Sequence, residues 1–443
     1  MRSEEYPLVQ FADLLAEPLR NGVYKSKEHH GRGAKVVNMG ELFGHPRLRD
    51  VPMKRLELTD NEIRKSSLRQ GDLLFARRSL VAEGAGRCSV VKEVFEPTTF
   101  ESSIIRARPD PSKASSDYLY YYFASPQGRE LMRTILRQVA VSGITGSDLA
   151  ELRIPVPSMP VQQQCAEILE NLDDRIDLLR QTNATLESIA QALFKSWFID
   201  FDPVRAKAAG REPEGLDADT AALFPDSFEN SVLGEIPKGW HAITLGEAFE
   251  LNPSRSLKKG GDAAYLEMAN APTTGHRPLG HVGFRPFGSG CKFRNGDALL
   301  AKITPCLENG KSAFVDFLGE NEIGWGSTEF IVLHSRLKFP TYCAYLLARH
   351  EPFRQFAIQA MTGTSGRQRI DLSRLMQFPL AAPPDERIAV ATETVFGNIQ
   401  ARIAANDNQA KALAALRDAL LPRLISGKLR LPEAEAQLNE ALA

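Results

Sequence analysis

The sequence of 443 residues has no run of eighteen apolar residues, which removes a membrane-spanning helix from the expectations. Its first residues, Met1 to Gln10, include Arg2, Glu4 and Glu5 and no apolar core of the kind a secretory signal needs. A cytoplasmic location is therefore expected. Cysteine is scarce: Cys88, Cys165, Cys291, Cys306 and Cys343 are odd in number and widely spaced. They form no Cys-x-x-Cys pair and no Cys/His cluster at zinc spacing, so reduced thiols and no metal site are expected. The motifs of several chemistries are missing as well. There is no HExxH, no GxSxG, no phosphate-cradling GxxxxGK[ST] loop and no convincing Asp…Glu-x-Lys nuclease pattern. No catalytic site is expected.

Net charge is also nearly absent, at −1, but it is unevenly spread. Residues 1–157 carry roughly +4, residues 158–235 roughly −9, residues 236–383 roughly +5 and the remainder roughly −1. Two mildly basic blocks thus alternate with acidic or neutral ones.

What the chain does have is an internal repeat. Gly71-Asp72-Leu73-Leu74 returns as Gly296-Asp297-Ala298-Leu299-Leu300, and Thr99-Phe100-Glu101-Ser102-Ser103-Ile104-Ile105 as Ser327-Thr328-Glu329-Phe330-Ile331-Val332. Tyr118-Leu119-Tyr120-Tyr121 matches Tyr342-Cys343-Ala344-Tyr345. Asp148-Leu149 with Leu152, Ile154 and Pro155 matches Asp371-Leu372 with Leu375, Phe378 and Pro379. The offset stays near about 225 residues, too long for a solenoid and fitting a duplicated domain.

Each copy leaves through prolines (Pro155, Pro157, Pro160; Pro379, Pro383, Pro384) into a long segment of helical periodicity. Its apolar positions are Val161, Cys165, Ile168, Leu172, Ile176, Leu179, Leu186, Leu193 and Trp197 in the first copy. In the second they are Ile388, Val395, Ile399, Ile403, Ala410, Leu413, Leu416 and Leu420. Intervals of three and four make an a/d seam, and about 38 residues at about 1.5 Å each span roughly 57 Å. A lone helix of that kind leaves its stripe wet, so the other copy's helix, running antiparallel, is the expected partner. The Ala/Asp/Glu/Gly/Pro-rich stretch between Asp200 and Pro237 reads as a linker.

The blocks read as mixed α/β. Strands are expected at Asp72–Ala76, Ser89–Val94, Ser103–Ala107, Ala298–Ile303, Ser312–Phe317 and Glu329–His334. One helix per block is expected with the tyrosines, over Ser116–Phe123 with Gly128–Leu136, and again over Thr341–Arg349 with Pro352–Ala360. The fold class expected is α+β: two mixed α/β domains separated by two long antiparallel helices in an intramolecular coiled coil, as a pseudo-two-fold internal repeat. The divisions are 1–157, helix 158–199, linker 200–236, 237–383, helix 384–425 and tail 426–443.

Four longer stretches carry a family resemblance. They are Phe194-Lys195-Ser196-Trp197-Phe198-Ile199-Asp200-Phe201-Asp202-Pro203-Val204, Leu233-Gly234-Glu235-Ile236-Pro237-Lys238-Gly239-Trp240, Leu300-Ala301-Lys302-Ile303-Thr304-Pro305-Cys306-Leu307-Glu308-Asn309-Gly310-Lys311, and Leu421-Pro422-Arg423-Leu424-Ile425-Ser426-Gly427-Lys428-Leu429. Over nearly its whole length the chain resembles the specificity subunit of type I restriction–modification systems. The resemblance implies two target-recognition domains, each reading one half of a bipartite duplex DNA site. The helices then hold them apart and dock two methyltransferase subunits, and restriction/translocase subunits join that core. It implies no cofactor here: S-adenosylmethionine, ATP and Mg²⁺ belong to partner subunits. Adenine methylation in this class uses an Asn/Asp-Pro-Pro-aromatic motif, and Asn252-Pro253-Ser254 lacks its second proline and aromatic. Two alternatives share the pattern: the specificity subunit of a methylation-only or otherwise organised restriction system, and a coiled-coil scaffold that reads no DNA.

Candidate DNA contacts lie in polar, glycine-rich loops. Thr364, Ser365, Arg367, Gln368 and Arg369 occupy one, where small residues admit backbone N–H groups to phosphate and Arg/Gln can pair with G or A. Ser142 and Thr145 hold the equivalent first-copy loop, which lacks the arginines. Lys302, Thr304, Asn309 and Lys311 surround a turn between strands, and Arg77, Arg78 and Arg87 occupy the corresponding place in the first block. Arg32, Lys35, Arg255, Lys258 and Lys259, in early loops, are better suited to phosphate than to bases. The tyrosines Tyr118, Tyr120, Tyr121 and Tyr122 read as core, and His29 and His30 as surface.

Overall fold

A computed structural model describes residues 6–79, 83–137, 142–336, 338–364, 366–429 and 431–442. The chain divides into two compact units, Met1–Ile176 with Lys411–Ala443, and Asp177–Ala410. Each unit therefore contains one block of the repeat and a half of each long helix.

In the first unit the apolar strand residues stack into a five-stranded sheet ordered Leu15–Asn21, Ile104–Pro109, Leu73–Ala76, Cys88–Val91, Arg47–Leu48. All neighbours are antiparallel except the last pair. Leu73, Leu74, Phe75 and Ala76 are all buried, because this strand is covered on both faces. On one side Phe11, Phe75 and Phe123 meet edge to face, with ring centroids 5.0–5.9 Å apart. A smaller sheet pairs His30–Val37 antiparallel with Lys54–Leu56 and parallel with Thr98–Phe100.

The second unit repeats this plan. Phe249–Leu251, Phe330–Ser335, Asp297–Ala301 and Ser312–Phe314 form a four-stranded antiparallel sheet in the corresponding order. A second sheet pairs Asp262–Leu266 antiparallel with Gly283–Pro286 and parallel with Gly324–Gly326. The repeated Gly-Asp has a structural role in both copies. Asp72 accepts from the Arg69 N–H at 2.7 Å and from Arg108, while Asp297 accepts from the Arg294 N–H at 2.7 Å, from Arg255 and from His334. Both carboxylates are fully buried, so the turn and its cation are fixed together.

All six expected strands are present, shifted by one to three residues at their ends. The helical region after the tyrosines is two helices in each copy, Ser116–Ala124 and Pro126–Arg133, then Cys343–Arg349 and Glu351–Gln359. Ser125 and His350 adopt extended backbone, and Pro126 and Pro352 restart the helix, which breaks the single segment expected. The tyrosines are core. The short strands 283–286, 291–293 and 324–326 were not anticipated, because glycine and charged residues mask their alternation.

The long helices run Met159–Phe198 and Arg387–Ile425. Within the first unit Cys165 lies against the Leu424 carbonyl, and Asp173 pairs with Arg417 at 2.6 Å. Within the second, the Asn183 amide donates to the Ile403 carbonyl at 3.2 Å and accepts from Asn406 at 2.9 Å, while Trp197 meets Phe396 edge to face. As position rises on one helix it falls on the other, so the helices pack antiparallel in each unit. Cys165, Ile168, Leu172, Ile176, Leu413 and Leu420 are buried along that seam, with Phe194 and Phe396, which the sequence reading had not placed there.

The Asp200–Pro237 stretch is ordered, not a free linker. Phe201 closes the first long helix in the left-handed region (φ 58°), and helices Asp202–Ala208 and Ala218–Leu223 and a hairpin, Phe228–Ser231 with Gly234–Pro237, follow. Phe201, Val204, Phe224 and Ile236 join Trp240 in the second unit's core. These few apolar residues outweigh the polar composition that signalled a linker.

Each block is bolted to the helices by a buried tyrosine of the repeat. Tyr121 donates to Asp173 at 2.8 Å, and Tyr345 to Glu187 at 2.5 Å. In the second unit Asp316 accepts from Arg277 at 2.8 Å, contacts His276 at 3.0 Å and accepts from Gln400 of the long helix at 2.7 Å. Burial pushes the Asp316 carboxyl up, but His276, Arg277 and Gln400 outweigh it and hold it below its ordinary value. A carboxylate so depressed contributes stability that is complete above the unfolded range near about 4 and is lost as pH falls through the folded value. Thermal melts at stepped pH should show stability dropping below about pH 4, and Asp316→Asn should flatten that part of the profile. A variant profile parallel to the wild type would show that this cluster is not what titrates.

Candidate nucleic-acid interface

In the second unit two sequence-predicted clusters come together. The strands Met361–Thr362 and Arg369–Ile370 pair antiparallel, and the loop between them turns at Gly363 (φ 114°) and Gly366 (φ 81°), backbone that L side chains rarely adopt. Its returning strand lies against the 302–311 turn: the Ile370 N–H donates to the Lys302 carbonyl at 2.9 Å, and Thr304 and Gln368 exchange backbone and hydroxyl bonds at 3.1 Å. Thr364, Arg367 and Asn309 are exposed there, and Lys302 and Gln368 are half-buried. The Arg367 side chain has no partner among the described residues, whereas Arg369 makes a bidentate pair with Glu329 at 2.8–3.1 Å. The Arg369 hydrogen bond, stronger in effect than the carboxyl's own burial, holds Glu329 below its ordinary value. Lys311 is turned inward, donating to the Met268 and Ala269 carbonyls at 2.7 and 3.2 Å. Ser365 lies outside the described residues.

The first unit builds its equivalent from Arg78–Ser79 paired with Ser142–Gly143. Arg78 is exposed; Arg77 is half-buried, with its guanidinium near the Ser102 carbonyl at 3.4 Å. Ser142 is half-buried, and Thr145 caps the short helix that follows by accepting from the Asp148 N–H at 3.1 Å. Arg87 stands over the Phe43 ring at 5.6 Å. Beside it are Arg129 and Arg133, which the sequence reading did not single out. Their spacing of four on one helix face was the available signal.

The early-loop cations divide. Arg32 is exposed and pairs with Glu57 at 2.7 Å, and Lys258 and Lys259 are exposed at a turn. Lys35 is mostly buried between Asp50 and Glu96, at 2.5 and 3.0 Å. Arg255 is buried against Asp297 at 2.6 Å and donates to the Lys292 carbonyl, so its charge is neutralised inside the block and is poorly placed for phosphate. Asn252, in left-handed backbone (φ 50°), accepts from the Val332 N–H at 3.0 Å, a structural use of the Asn-Pro-Ser segment. No helix is long and apolar enough to cross a membrane, and no metal-binding cluster occurs, among the described residues.

The family model described as "Type I restriction modification DNA specificity domain" matches residues 19–188. The chain is 25% identical over 423 residues to the HindI type I restriction enzyme specificity subunit of Haemophilus influenzae, across 82% of this chain and 88% of that one. To the MjaIX specificity subunit of Methanocaldococcus jannaschii it is 26% identical over 427 residues, across 92% and 90%. Both relatives are type I specificity subunits, and the chain is similar to them over most of its length. At the level of fold, the S subunit of a type I restriction–modification system from M. genitalium superposes with a TM-score of 0.54 at 15% identity, covering 95% of this chain and 96% of that one. The two units share one strand order and differ in the loops it presents.

The two arginine environments predict opposite outcomes. Arg255→Ala leaves the Asp297 carboxylate buried without its main partner and should cost about 3–5 kcal/mol in chemical denaturation. Arg367→Ala should leave stability within about 0.5 kcal/mol yet lower the slope of log affinity for duplex DNA against log salt by about one. An unchanged slope would remove the 361–370 hairpin from the interface.

Proposed function

We propose that this chain is the DNA-reading, non-catalytic subunit of a type I restriction–modification enzyme. In this reading each block recognises one part of an asymmetric bipartite site. The observation that carries it is the duplication itself: one strand order occurs twice, and the exposed polar loops mounted on it differ, with Arg367 and Arg369 in one and Ser142 and Thr145 in the other. Equivalent frameworks approach two half-sites in equivalent ways, and unlike loops read unlike bases.

In this reading the long helices form a coiled coil that sets the distance between half-sites, and the blocks are related by a pseudo-two-fold axis. A spacer of roughly 57 Å exceeds a DNA turn of about 34 Å, so half-sites about a turn apart on one face fit it. Two methyltransferase subunits dock on the helices, and restriction/translocase subunits join them. S-adenosylmethionine, ATP and Mg²⁺ are held by those partners, and the assembly works in the cytoplasm. The similarity to type I specificity subunits and the absence of a recognisable catalytic motif support this division of labour.

Exchanging residues 1–157 for another first block should change one half-site and leave the other intact, as read from the methylated adenines of a host genome. If both halves change, or neither does, the bipartite reading fails. Removing one facing heptad from each long helix should shorten the gap between half-sites while sparing their bases; a constant gap would mean that the helices do not measure it.

A further inference from the structure

In the first unit a recess is walled by Phe43, Met132 and Leu136 and lined by Arg87, Arg129 and Arg133. The cations come from two elements: Arg87 precedes the strand Cys88–Val91, while Arg129 and Arg133 stand one turn apart on Pro126–Arg133. Several arginines elsewhere in this block are matched by carboxylates: Arg32 by Glu57, Arg55 by Glu96 and Arg108 by Asp72. Here they face one another. Arg129 donates to the Glu83 backbone carbonyl at 2.5 Å, and Arg87 rests on the Phe43 ring. Arg133 meets Glu130 at 2.9 Å, but both side chains are about two-thirds exposed, and Glu83, the carboxylate on the rim, is exposed as well. Burial, then the Arg87 and Arg133 charges, push the Arg129 guanidinium below its ordinary value. An anion entering the recess removes that penalty, and the apolar walls strengthen its attraction to the guanidiniums.

The duplicated framework allows a comparison. By strand register and by the extended residues that start the helices, Ser125 and His350, the residues Arg87, Arg129 and Arg133 correspond to Lys311, Arg354 and Ile358. Lys311 is held by the Met268 and Ala269 carbonyls, and Arg354 pairs with Glu351. The second block therefore keeps two of the three cations, both engaged within the block, and has an apolar residue in place of the third. The recess also adjoins the hairpin of the candidate interface, since Ser79 lines it and pairs with Ser142.

We infer that this recess grips one backbone phosphate of the DNA half-site read by the first block. This rests on the DNA-reading function proposed above. Phosphate, not a base edge, is the fitting ligand, because three converging guanidiniums supply more positive charge than the two acceptors of a guanine edge call for, and a recess takes in a compact anion.

The test uses the full chain purified with its methyltransferase partner and a duplex of the mapped site. Arg129→Gln with Arg133→Gln should lower the log-affinity against log-salt slope by about one. A neutral methylphosphonate scanned through the first half-site should weaken the wild type at one position and leave the variant unaffected there. Methylated sequences should be unchanged. If the double variant melts early, Arg133→Gln alone, at an exposed position, carries the test. A full slope in a folded variant, or an altered base preference, overturns the phosphate grip while Arg367→Ala still reports on DNA reading. Absence of site-specific binding by the wild type overturns both.

Discussion

Two helices of about 40 residues, each with one apolar stripe, cannot stand alone in water, and the rest of the molecule follows from their covering each other. Leu172, Ile176, Leu413 and Leu420 exclude solvent along the seam, but apolar contacts by themselves tolerate a slip by a turn. The Asn183–Asn406 pair does not, because sliding strands the buried Asn406 amide and the half-buried Asn183. Asp173 adds a second constraint by accepting from Tyr121 and pairing with Arg417, so one carboxylate ties a block to both helices of its unit. Apolar burial supplies the affinity of the seam, and its few polar pairs supply the alignment.

Much of this was readable from residue order. The Gly-Asp and tyrosine markers repeat because each does the same work twice: a buried carboxylate fixing a turn, and a hydroxyl bolting the block to a helix. The helix seam was readable from spacings of three and four. The ordered stretch after Asp200 was not, because Phe201, Phe224 and Trp240 act through contacts distant in sequence, ring to ring at 5.6–6.3 Å. The site was legible only as a class of loop. Arg255 and Arg367 look alike in sequence, and only the placement of Asp297 makes the first a buried strut.

Charge is accordingly used in two ways. Inside the blocks Arg108, Arg255 and Arg277 are neutralised by Asp72, Asp297 and Asp316, which fixes geometry without projecting a field. At the loops, Arg367, Arg78 and the Arg87–Arg129–Arg133 group remain available to an incoming polyanion. This explains how a chain with net charge of −1 can carry a DNA-binding surface: acidic residues are concentrated in 158–235, away from both basic blocks in sequence.

The packed segment between the first long helix and Trp240 constrains how such a protein can be recombined. A crossover within 200–237 would pair one parent's Phe201 and Val204 with another parent's Trp240, leaving a shared core to be filled by residues that never coevolved. Breakpoints are better tolerated within the long helices, where the seam follows a common spacing. A donor second block grafted through the first helix brings its own foundation with it, and shuffled genes should show their junctions there.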